Sequence, residues 1–348
     1  MTDLTAPWSL GPLRVPNRVA LAPLAGIGNW FVRLQARRYG AGLVVSEMVS
    51  SFGVHYGNER TCSELLHIHP DERDGGIVSM QLFGSDPDVM RSAAARVAQA
   101  GADVIDLNMG CPVPKVCKTG AGAALLREPQ RAVAVARAAA EGSGLPVTVK
   151  LRSGQRPGET DGADLAERLV ADAGVAAIAF HPRSAAVHHK GQPDYALAAR
   201  VVERLDVPVI LTGGLRDAAA VRAAYEQTGA TAVMLARGAL GNPWLFAELL
   251  QGRAAPSRAE VLAELHWVCD RAAEHLGDER AGRYLRKFYP WYLERMALPR
   301  PALKRVQEEL QRLETLAGAR ARLDALAAED AGSHRERRAT TPALSGAR

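Results

Sequence analysis

The segment VIDLNMGCP, residues 104–112, is a short apolar run that ends in a constrained turn, and a helical stretch follows it. The same order of an aliphatic or β-branched run, a turn and an Ala-, Leu- and Arg-rich helical stretch recurs along the chain. Eight such runs lie at 19–22, 43–46, 77–82, 104–108, 146–151, 176–180, 208–212 and 231–236. The repeated pattern indicates strands that alternate with helices.

The eight runs are nearly continuous in apolar character rather than alternating, as strands covered on both faces require. Each connection between parallel strands places a helix on the outside, so eight units in succession predict a closed (β/α)8 TIM barrel of the α/β class. An open doubly wound sheet is the alternative. It has less support, because no Gly-x-Gly-x-x-Gly follows the first run.

The pattern changes after Gly252. Ser257 and Glu260 have capping-box spacing, and apolar residues at helical spacing then continue to Gly277. Two more helical stretches follow, and Pro290 is expected to break the first of them. The change predicts a small C-terminal helical domain after the barrel.

The predicted domain boundaries follow from these changes. We expect a catalytic, cofactor-binding barrel over residues 1–252 and a helical domain over 253–325. Residues 326–348 contain mainly Ala, Ser, Thr, Gly and Arg, with few large apolar side chains. This composition predicts a disordered tail.

Composition excludes several classes of protein. The sequence has no signal-peptide pattern and no apolar run long enough to cross a bilayer, so we expect a cytoplasmic protein without a membrane partner. Its four cysteines are scattered, which predicts neither disulfides nor a metal site. The net charge is +5, and between Arg283 and Arg312 eight Lys or Arg stand against three Glu. This surplus indicates a polyanionic partner.

Unusual residues at the ends of barrel strands are the first candidates for chemistry. Gly213 and Gly214 follow the seventh run, and Arg237 and Gly238 follow the eighth. Glycines let backbone N–H groups approach a phosphate, and an arginine adds charge, so these two turns predict a phosphate site. The alternative is that each glycine is only a turn residue.

Lys150, Cys111 and His181 lie at or near the ends of three successive strands. A lysine in an apolar strand needs a partner, and three interpretations are open: an ion pair with Glu47 or Asp106, a Schiff base, or stabilisation of an anionic ring. The neighbouring cysteine and histidine favour the ring. A mostly protonated thiol on a constrained turn can donate a proton. Taken alone, His181 is better interpreted as an ordinary strand-end histidine.

At these residues the sequence resembles the tRNA-dihydrouridine synthases, and among them the bacterial DusB-type group. The resemblance covers residues 15–293. Its segments are 22–26 (APLAG), 46–49 (SEMV), 81–84 (QLFG), 108–112 (NMGCP), 122–126 (GAALL), 150–152 (KLR), 181–183 (HPR), 213–214 (GG), 237–238 (RG), 242–244 (NPW), 286–287 (RK) and 291–293 (WYL). Only the combination of these segments is specific.

The resemblance implies a cofactor, a reductant and a substrate. It implies FMN as the bound cofactor, NADPH as the reductant and tRNA as the partner. It also implies that hydride passes from the flavin to C6 of a flipped uracil while Cys111 protonates C5. We also expect a monomeric protein without a metal.

The resemblance also assigns site residues by position. The residues expected to bind the cofactor are Ala22, Pro23, Gln81, Lys150, His181, Gly213, Gly214, Ala236 and Arg237. The residues expected to bind the substrate are Asn108, Arg152, Arg183, Arg286 and Lys287. This chain departs from the family pattern at Thr212 and Leu215, where Asn and an acidic residue are frequent, at Pro182, and at residues 288–290.

Three other functions compete with this interpretation. A flavin barrel that acts on a small molecule, such as a dihydroorotate dehydrogenase, explains the barrel residues but leaves the basic helical domain unexplained. A tRNA-binding protein without catalysis explains that domain but not the set of Cys111, Lys150 and His181. A barrel aldolase uses Lys150 alone.

Overall fold

Eight parallel strands form a closed barrel in the computed structural model, which describes residues 3–74 and 76–339. The strands are β1 (Trp8–Leu10), β2 (Leu13–Val15), β3 (Val19–Leu21), β4 (Leu43–Val45), β5 (Val49–Ser50), β6 (Ile77–Phe83), β7 (Val104–Met109), β8 (Val147–Arg152), β9 (Ala177–His181), β10 (Val209–Thr212) and β11 (Ala232–Leu235). The barrel strands are β3, β4 and β6 to β11. They coincide with the eight apolar runs, so the predicted barrel is confirmed.

The ring closes where β11 pairs in parallel with β3. From β3 the order continues through β4, β6, β7, β8, β9 and β10 back to β11, so each barrel strand lies beside the next along the chain. The short β5 pairs with the end of β6. Because all strands run the same way, their carboxyl ends meet at one end of the barrel.

Helices connect the barrel strands. In the first of two compact units, residues 1–239 and 243–254, they are α1 (Trp30–Arg38), α2 (Ser51–His55), α3 (Pro87–Gln99), α4 (Pro114–Cys117), α5 (Pro129–Ser143), α6 (Asp161–Ala173), α7 (Tyr195–Arg204), α8 (Ala218–Thr228) and α9 (Trp244–Gln251). Asp86, Asp194 and Asp217 cap the starts of α3, α7 and α8 by accepting backbone N–H bonds. These caps fix where loops at the carboxyl end of the barrel become helices.

An N-terminal hairpin, which the sequence did not predict, covers the opposite end of the barrel. β1 and β2 pair antiparallel, with Trp8 opposite Val15. Trp8, Leu10 and Val15 are buried in one apolar cluster with the first residues of several barrel strands. The amino end of the barrel is therefore filled with apolar side chains.

The second compact unit comprises residues 240–242 and 255–348. Its helices are α10 (Arg258–Leu276), α11 (Asp278–Leu285), α12 (Tyr289–Leu293), α13 (Arg300–Arg312) and α14 (Leu316–Ala339). Ser257 and Glu260 form the predicted capping box at the start of α10. Pro290 stands near the start of α12, so the predicted break is a helix boundary.

The prediction of a disordered tail from residue 326 is wrong for residues 326–339, because α14 continues to Ala339. Leu316, Ala319, Leu323 and Leu326 are buried and recur at helical spacing. Of these residues only Leu326 falls within the predicted tail, and residues 327–339 have no large apolar side chain that would show a helical period. Residues 340–348 lie outside the described part of the chain.

Two further observations concern the described residues alone. No helix there is long and apolar enough to span a membrane. No group of three or more His, Cys, Asp or Glu side chains among them is arranged to hold a metal ion.

Candidate active site

The register of the barrel strands brings several predicted residues to the carboxyl end. Lys150 on β8 lies beside Asn108 on β7, and Arg152 lies beside His181 on β9. Cys111 follows the end of β7 by two residues. The ladder therefore gathers five of the predicted side chains on three adjacent strands.

A chain of buried hydrogen bonds runs across β6 and β7. The Asp106 carboxylate accepts from Thr148 Oγ1 and from Gln81 Nε2, each at 2.6 Å. Gln81 Oε1 in turn accepts from Asn108 Nδ2 at 2.9 Å. Gln81 is 0 % exposed and Asp106 is 1 % exposed, so solvent does not compete for these bonds. Burial raises the pKa of Asp106 to about 6, against the lowering effects of Thr148, Gln81 and Lys150.

The same chain ends on the turn that carries Cys111. Asn108 Oδ1 accepts from the backbone N–H of Cys111 at 2.9 Å and from that of Gly110 at 3.3 Å. On the other side, the Cys111 carbonyl accepts from the Ala123 N–H at 3.0 Å and from the Cys117 thiol at 3.3 Å. Cys111 is half-buried. Hydrogen bonds on both sides therefore hold the backbone of Cys111, and the residue remains partly exposed to solvent.

Arg152 links the cysteine turn to the loop after β9. Its Nε donates to the Gly110 carbonyl at 3.0 Å, and its Nη1 donates to the carbonyls of Ser184 and His188 at 3.0 and 2.7 Å. Arg183 donates from Nε and Nη2 to the Gly191 carbonyl. Both side chains were predicted to contact substrate. In the structure these donors hold the backbone around the site, and Arg183 Nη1 also bonds to the His181 ring.

His181 lies among cations and is neutral at neutral pH. Its Nε2 is 3.1 Å from Arg183 Nη1, and because a guanidinium can only donate, Nε2 accepts and the proton sits on Nδ1. Burial, followed by Lys150, Arg152 and Arg183, holds the pKa of His181 well below its ordinary value. Its ring stacks on that of His189 at a centroid distance of 6.2 Å.

Lys150, Arg152, Arg183 and Arg237 form a cation cluster. Burial, then Arg152, lowers the pKa of Lys150 to about 8, although Asp106 and Cys111 act in the opposite direction. Burial lowers the pKa of Arg152 to about 10, and Arg183 adds to this effect while Cys111 opposes it. Arg237 also lowers the pKa of Arg183. The Asp106 carboxylate takes its hydrogen bonds from Thr148 and Gln81, not from Lys150. Cations crowded in this way favour a bound anion.

Gly213 and Gly214 have two structural reasons to be glycines. Their φ angles are +100° and +84°, values that side chains disfavour. A Cβ on Gly213 would lie 2.3 Å from the His181 ring, and one on Gly214 would lie 2.4 Å from the Tyr195 hydroxyl. The Tyr195 hydroxyl donates to the Gly213 carbonyl at 3.0 Å. The absence of side chains leaves this turn half-exposed beside His181.

The remaining predicted cofactor residues lie on adjoining strand ends. Ala22 follows β3 and donates its N–H to the Leu235 carbonyl at 2.8 Å, and Pro23 is half-buried next to it. Ala236 follows β11, and Arg237 begins a short 3-10 helix with its side chain exposed. β3 and β11 are paired, so these residues lie side by side.

The dihydrouridine synthase (Dus) family model matches residues 20–331 of this chain. The chain belongs to the dihydrouridine synthase family. A tRNA-dihydrouridine synthase B from Pseudomonas aeruginosa is 34% identical over 318 residues, which cover 88% of this chain and 91% of the relative. A probable tRNA-dihydrouridine synthase from Rhodobacter capsulatus is 37% identical over 305 residues, which cover 84% and 90%. This protein is therefore an enzyme of that family.

Solved structures of other barrels share the fold. A mutant morphinone reductase in complex with tetrahydroNAD has a TM-score of 0.53 at 17% identity and covers 73% of this chain and 92% of its own. An old yellow enzyme homologue from Zymomonas mobilis has a TM-score of 0.54 at 16% identity and covers 73% and 94%. At these identities the likeness concerns the fold alone.

Two departures of this dihydrouridine synthase from its family have local explanations. Thr212 is buried, and its hydroxyl donates to the Met234 carbonyl at 3.0 Å, so it ties β10 to β11. Leu215 is also buried, and its carbonyl would lie 2.5 Å from a Cβ on Gly238. Thr212 therefore ties the two strands together, and Leu215 fills a buried position.

The two predicted substrate residues of the helical unit differ in placement. Arg286 is half-buried and donates from Nη2 to the Leu313 carbonyl at 3.0 Å. Lys287 is exposed, and its ammonium lies 3.7 Å from the centre of the Tyr284 ring. Phe288, Tyr289 and Tyr292 are buried in the same unit. Of Arg286 and Lys287, only Lys287 has an exposed charge. The three aromatic side chains belong to the core of the helical unit.

Sequence reasoning missed three residues at the site: Thr148, His189 and Tyr195. Thr148 and Tyr195 act by hydrogen bonds to residues far away in sequence, and His189 by stacking on His181. Thr148 lies inside an apolar strand, where a buried polar side chain needs a hydrogen-bonding partner, and this was a signal that could have identified it. His189 and Tyr195 lie in the loop and helix after β9, where nothing in the sequence marked them.

Proposed function

We propose that this enzyme reduces the C5=C6 bond of uridine in tRNA, with FMN as cofactor and NADPH as reductant. The observation that carries the proposal is the placement of Cys111. Its turn is held from both sides at the end of the barrel where the cation cluster lies. The names of the relatives from Pseudomonas and Rhodobacter support tRNA as the substrate.

The residues present fit an anionic flavin. Burial is the main cause that lowers the pKa values of Lys150 and Arg152, and repulsion from a neighbouring arginine adds to it. An anion bound there would stabilise the charged forms of both side chains. We propose that Lys150, His181 and Gln81 serve the ring, with Gln81 acting through its neighbours because it is fully buried. The phosphate would lie at the open turn of Gly213 and Gly214, next to Arg237, Ala236, Ala22 and Pro23. The flavin supplies the hydride in this reaction.

Within this proposal the chain's own residues manage charge and protons. Cys111 holds the proton that C5 of the base requires, since its thiol is the acid on the fixed turn. Lys150 stabilises negative charge on the ring. Asn108 holds the cysteine turn, and Arg152 and Arg183 hold the loop after β9 around the base.

The helical unit would bind the tRNA backbone. Lys287, Arg283, Lys304 and Arg305 present exposed cationic side chains on α11, α13 and the segment after α11. Phosphate contacts from such side chains give affinity without reading sequence. Because Arg286 is occupied with Leu313, we assign this role to Lys287 rather than to the pair.

A half-reaction assay tests the proposal. The purified enzyme is reduced with NADPH in the absence of oxygen and mixed separately with unmodified tRNA, orotate and a simple enone. Reoxidation of the flavin by tRNA alone, with dihydrouridine found in the RNA afterwards, is the expected result. Reoxidation by orotate or enone but not by tRNA would assign the enzyme to small-molecule chemistry, and tight tRNA binding without bound flavin would make it an RNA-binding protein.

The cofactor phosphate site has its own test. Replacing Arg237 with Ala removes a charge-assisted contact worth about 1.5–3 kcal/mol, which corresponds to an FMN affinity about 10- to 100-fold lower. Arg14→Ala, on the exposed edge of the N-terminal hairpin, is the matched control. Flavin retention by Arg237→Ala equal to that of the control would place the phosphate elsewhere.

A further inference from the structure

Asp106 has no place in the proposed reaction, yet it is the most deeply buried acidic group at the site. It lies on β7, two residues before Asn108 and five residues before Cys111. Thr148 and Gln81 donate to its two oxygens, and Lys150 is the one charged group that affects its pKa. Burying a carboxylate is costly, so its retention at this position calls for an explanation.

The hydrogen bonds leading from Asp106 to Cys111 have a single allowed direction. An ionised carboxylate can only accept, so the Gln81 amide must turn its NH2 group to Asp106 and its oxygen to Asn108. Asn108 must then donate with its own NH2. Its oxygen is left for the N–H groups of Gly110 and Cys111, which can only donate.

We propose that Asp106 is the positioning residue that orients the amides of Gln81 and Asn108 and thereby holds the Cys111 turn in place. This inference rests on the proposed function only in calling Cys111 the acid. The relay itself consists of four groups on two adjacent strands and one turn, joined by hydrogen bonds of 2.6 to 2.9 Å.

The relay explains why an amide at position 106 cannot replace the carboxylate. In Asp106→Asn, residue 106 can donate as well as accept, so Gln81 can adopt either orientation. In the reversed orientation Asn108 turns its NH2 group toward the Cys111 N–H, where no hydrogen bond forms. The reversed arrangement gives up the hydrogen bonds from Gly110 and Cys111, so it is the minor one, but the carboxylate excludes it and an amide does not. The Cys111 amide of the variant therefore loses its acceptor for part of the time.

Hydrogen exchange of backbone amides, resolved to single residues in the flavin-loaded protein, tests the proposal without tRNA or turnover. Loss of one such hydrogen bond is expected to speed exchange at Cys111 by about fivefold or more in Asp106→Asn and in Asn108→Ala. The double variant should exchange no faster than Asn108→Ala, because both changes cut one relay. Thr148→Val removes the other bond to the same carboxylate and should leave Cys111 protected.

Wild-type exchange at Cys111 in Asp106→Asn would overturn the proposal, and so would effects of Asp106 and Asn108 that multiply in the double variant. If Asp106→Asn does not fold, Gln81→Met cuts the relay at its middle, and unchanged protection of Cys111 in that variant is equally decisive. Failure of the wild-type enzyme to reduce tRNA would instead count against the proposed function. The exchange result does not depend on that outcome, because it is measured without tRNA or turnover.

Discussion

The two sides of the barrel's carboxyl end are built in opposite ways. At the ends of β6 to β9, large polar side chains are buried and bonded to one another or to backbone carbonyls. At the ends of β10 and β11, Gly213 and Gly214 remove side chains altogether, and Arg237 is exposed. The side at β6 to β9 fixes the directions of its hydrogen bonds. The side at β10 and β11 leaves space where side chains are absent.

Under the proposed function, this difference separates two tasks within one barrel. A proton donor must be held at a defined position, and a buried network in a medium of low dielectric constant does this well. A phosphate needs accessible donors and positive charge, which an open glycine turn beside an arginine provides. Substitutions on the first side should therefore affect chemistry, and those on the second should affect occupancy by the cofactor.

The largest effect is expected on the first side. Cys111→Ala should lower the rate of tRNA-dependent flavin reoxidation by about 10²- to 10⁴-fold, the usual contribution of a general acid. Flavin content should stay near that of wild type, since the thiol is assigned to the base and not to the phosphate turn. Cys62→Ala, another half-buried cysteine, is the control. Near-normal reoxidation by the Cys111 variant would remove the thiol from the mechanism.

Asp106→Asn should stabilise the protein at alkaline pH even though it disturbs the cysteine turn. Burial raises the pKa of Asp106 to about 6 from 3.8 in the unfolded chain, so the ionised form destabilises the fold by up to about 3 kcal/mol at pH 8. This penalty diminishes as the pH falls through 6 and disappears below about 3.8, where the carboxyl is protonated in both states.

Denaturant unfolding at pH 8, 6 and 4.5 measures this difference. The free energy of unfolding of Asp106→Asn should exceed that of wild type most at pH 8 and least at pH 4.5. Asp172→Asn, a carboxylate exposed on α6, should show no such trend. A variant less stable than wild type at pH 8 would mean that the lost hydrogen bonds outweigh the cost of burying the charge.

On the open side, Gly213→Ala should weaken flavin binding about 10- to 100-fold, because the new Cβ displaces the His181 ring. The backbone strain of about 1–3 kcal/mol at a positive φ lowers stability instead. Gly144→Ala is a matched control, since its φ of +67° is also positive but nothing lies within 4 Å of its Cβ. Both variants should lose stability, and only the first should lose flavin on dialysis. Equal flavin retention by Gly213→Ala and Gly144→Ala would show that the turn at Gly213 does not contribute to cofactor binding.

The smallest effect is expected in the helical unit. Lys287→Ala should weaken tRNA binding modestly and reduce the slope of log affinity against log salt by about 0.7–0.9, as for one lost phosphate contact. Arg286→Ala should instead lower stability, by about 1–2 kcal/mol, because it releases the Leu313 carbonyl. An unchanged salt slope in Lys287→Ala would show that this charge is only solvated.

The barrel was predictable because parallel strands covered on both faces need continuous apolar runs, and such runs are visible in one sequence. The hairpin of β1 and β2 was missed because its three-residue strands are too short to show a period. The part of α14 after residue 326 was missed because residues 327–339 have no large apolar side chain that would show a helical period.

The candidate site was predictable by position but not by contact. The sequence placed Cys111, Lys150 and His181 at strand ends, and the register of β7, β8 and β9 brings them to one end of the barrel. It could not show that Arg152 binds the carbonyls of residues 110, 184 and 188, because that depends on loops distant in sequence. A side chain with several donors, such as Arg152, has several possible acceptors, and the sequence does not show which of them the loops bring within reach.

The apolar filling at the amino end of the barrel has a kinetic consequence. Trp8, Leu10 and Val15 close that end, so any molecule that reacts within the barrel enters and leaves through the opposite opening. Under the proposed function, NADPH and the base would both approach the flavin through that opening, and if they cannot occupy it together, the first product departs before the second reactant arrives. Steady-state rates measured against both reactants should give parallel double-reciprocal lines, the pattern of a ping-pong scheme.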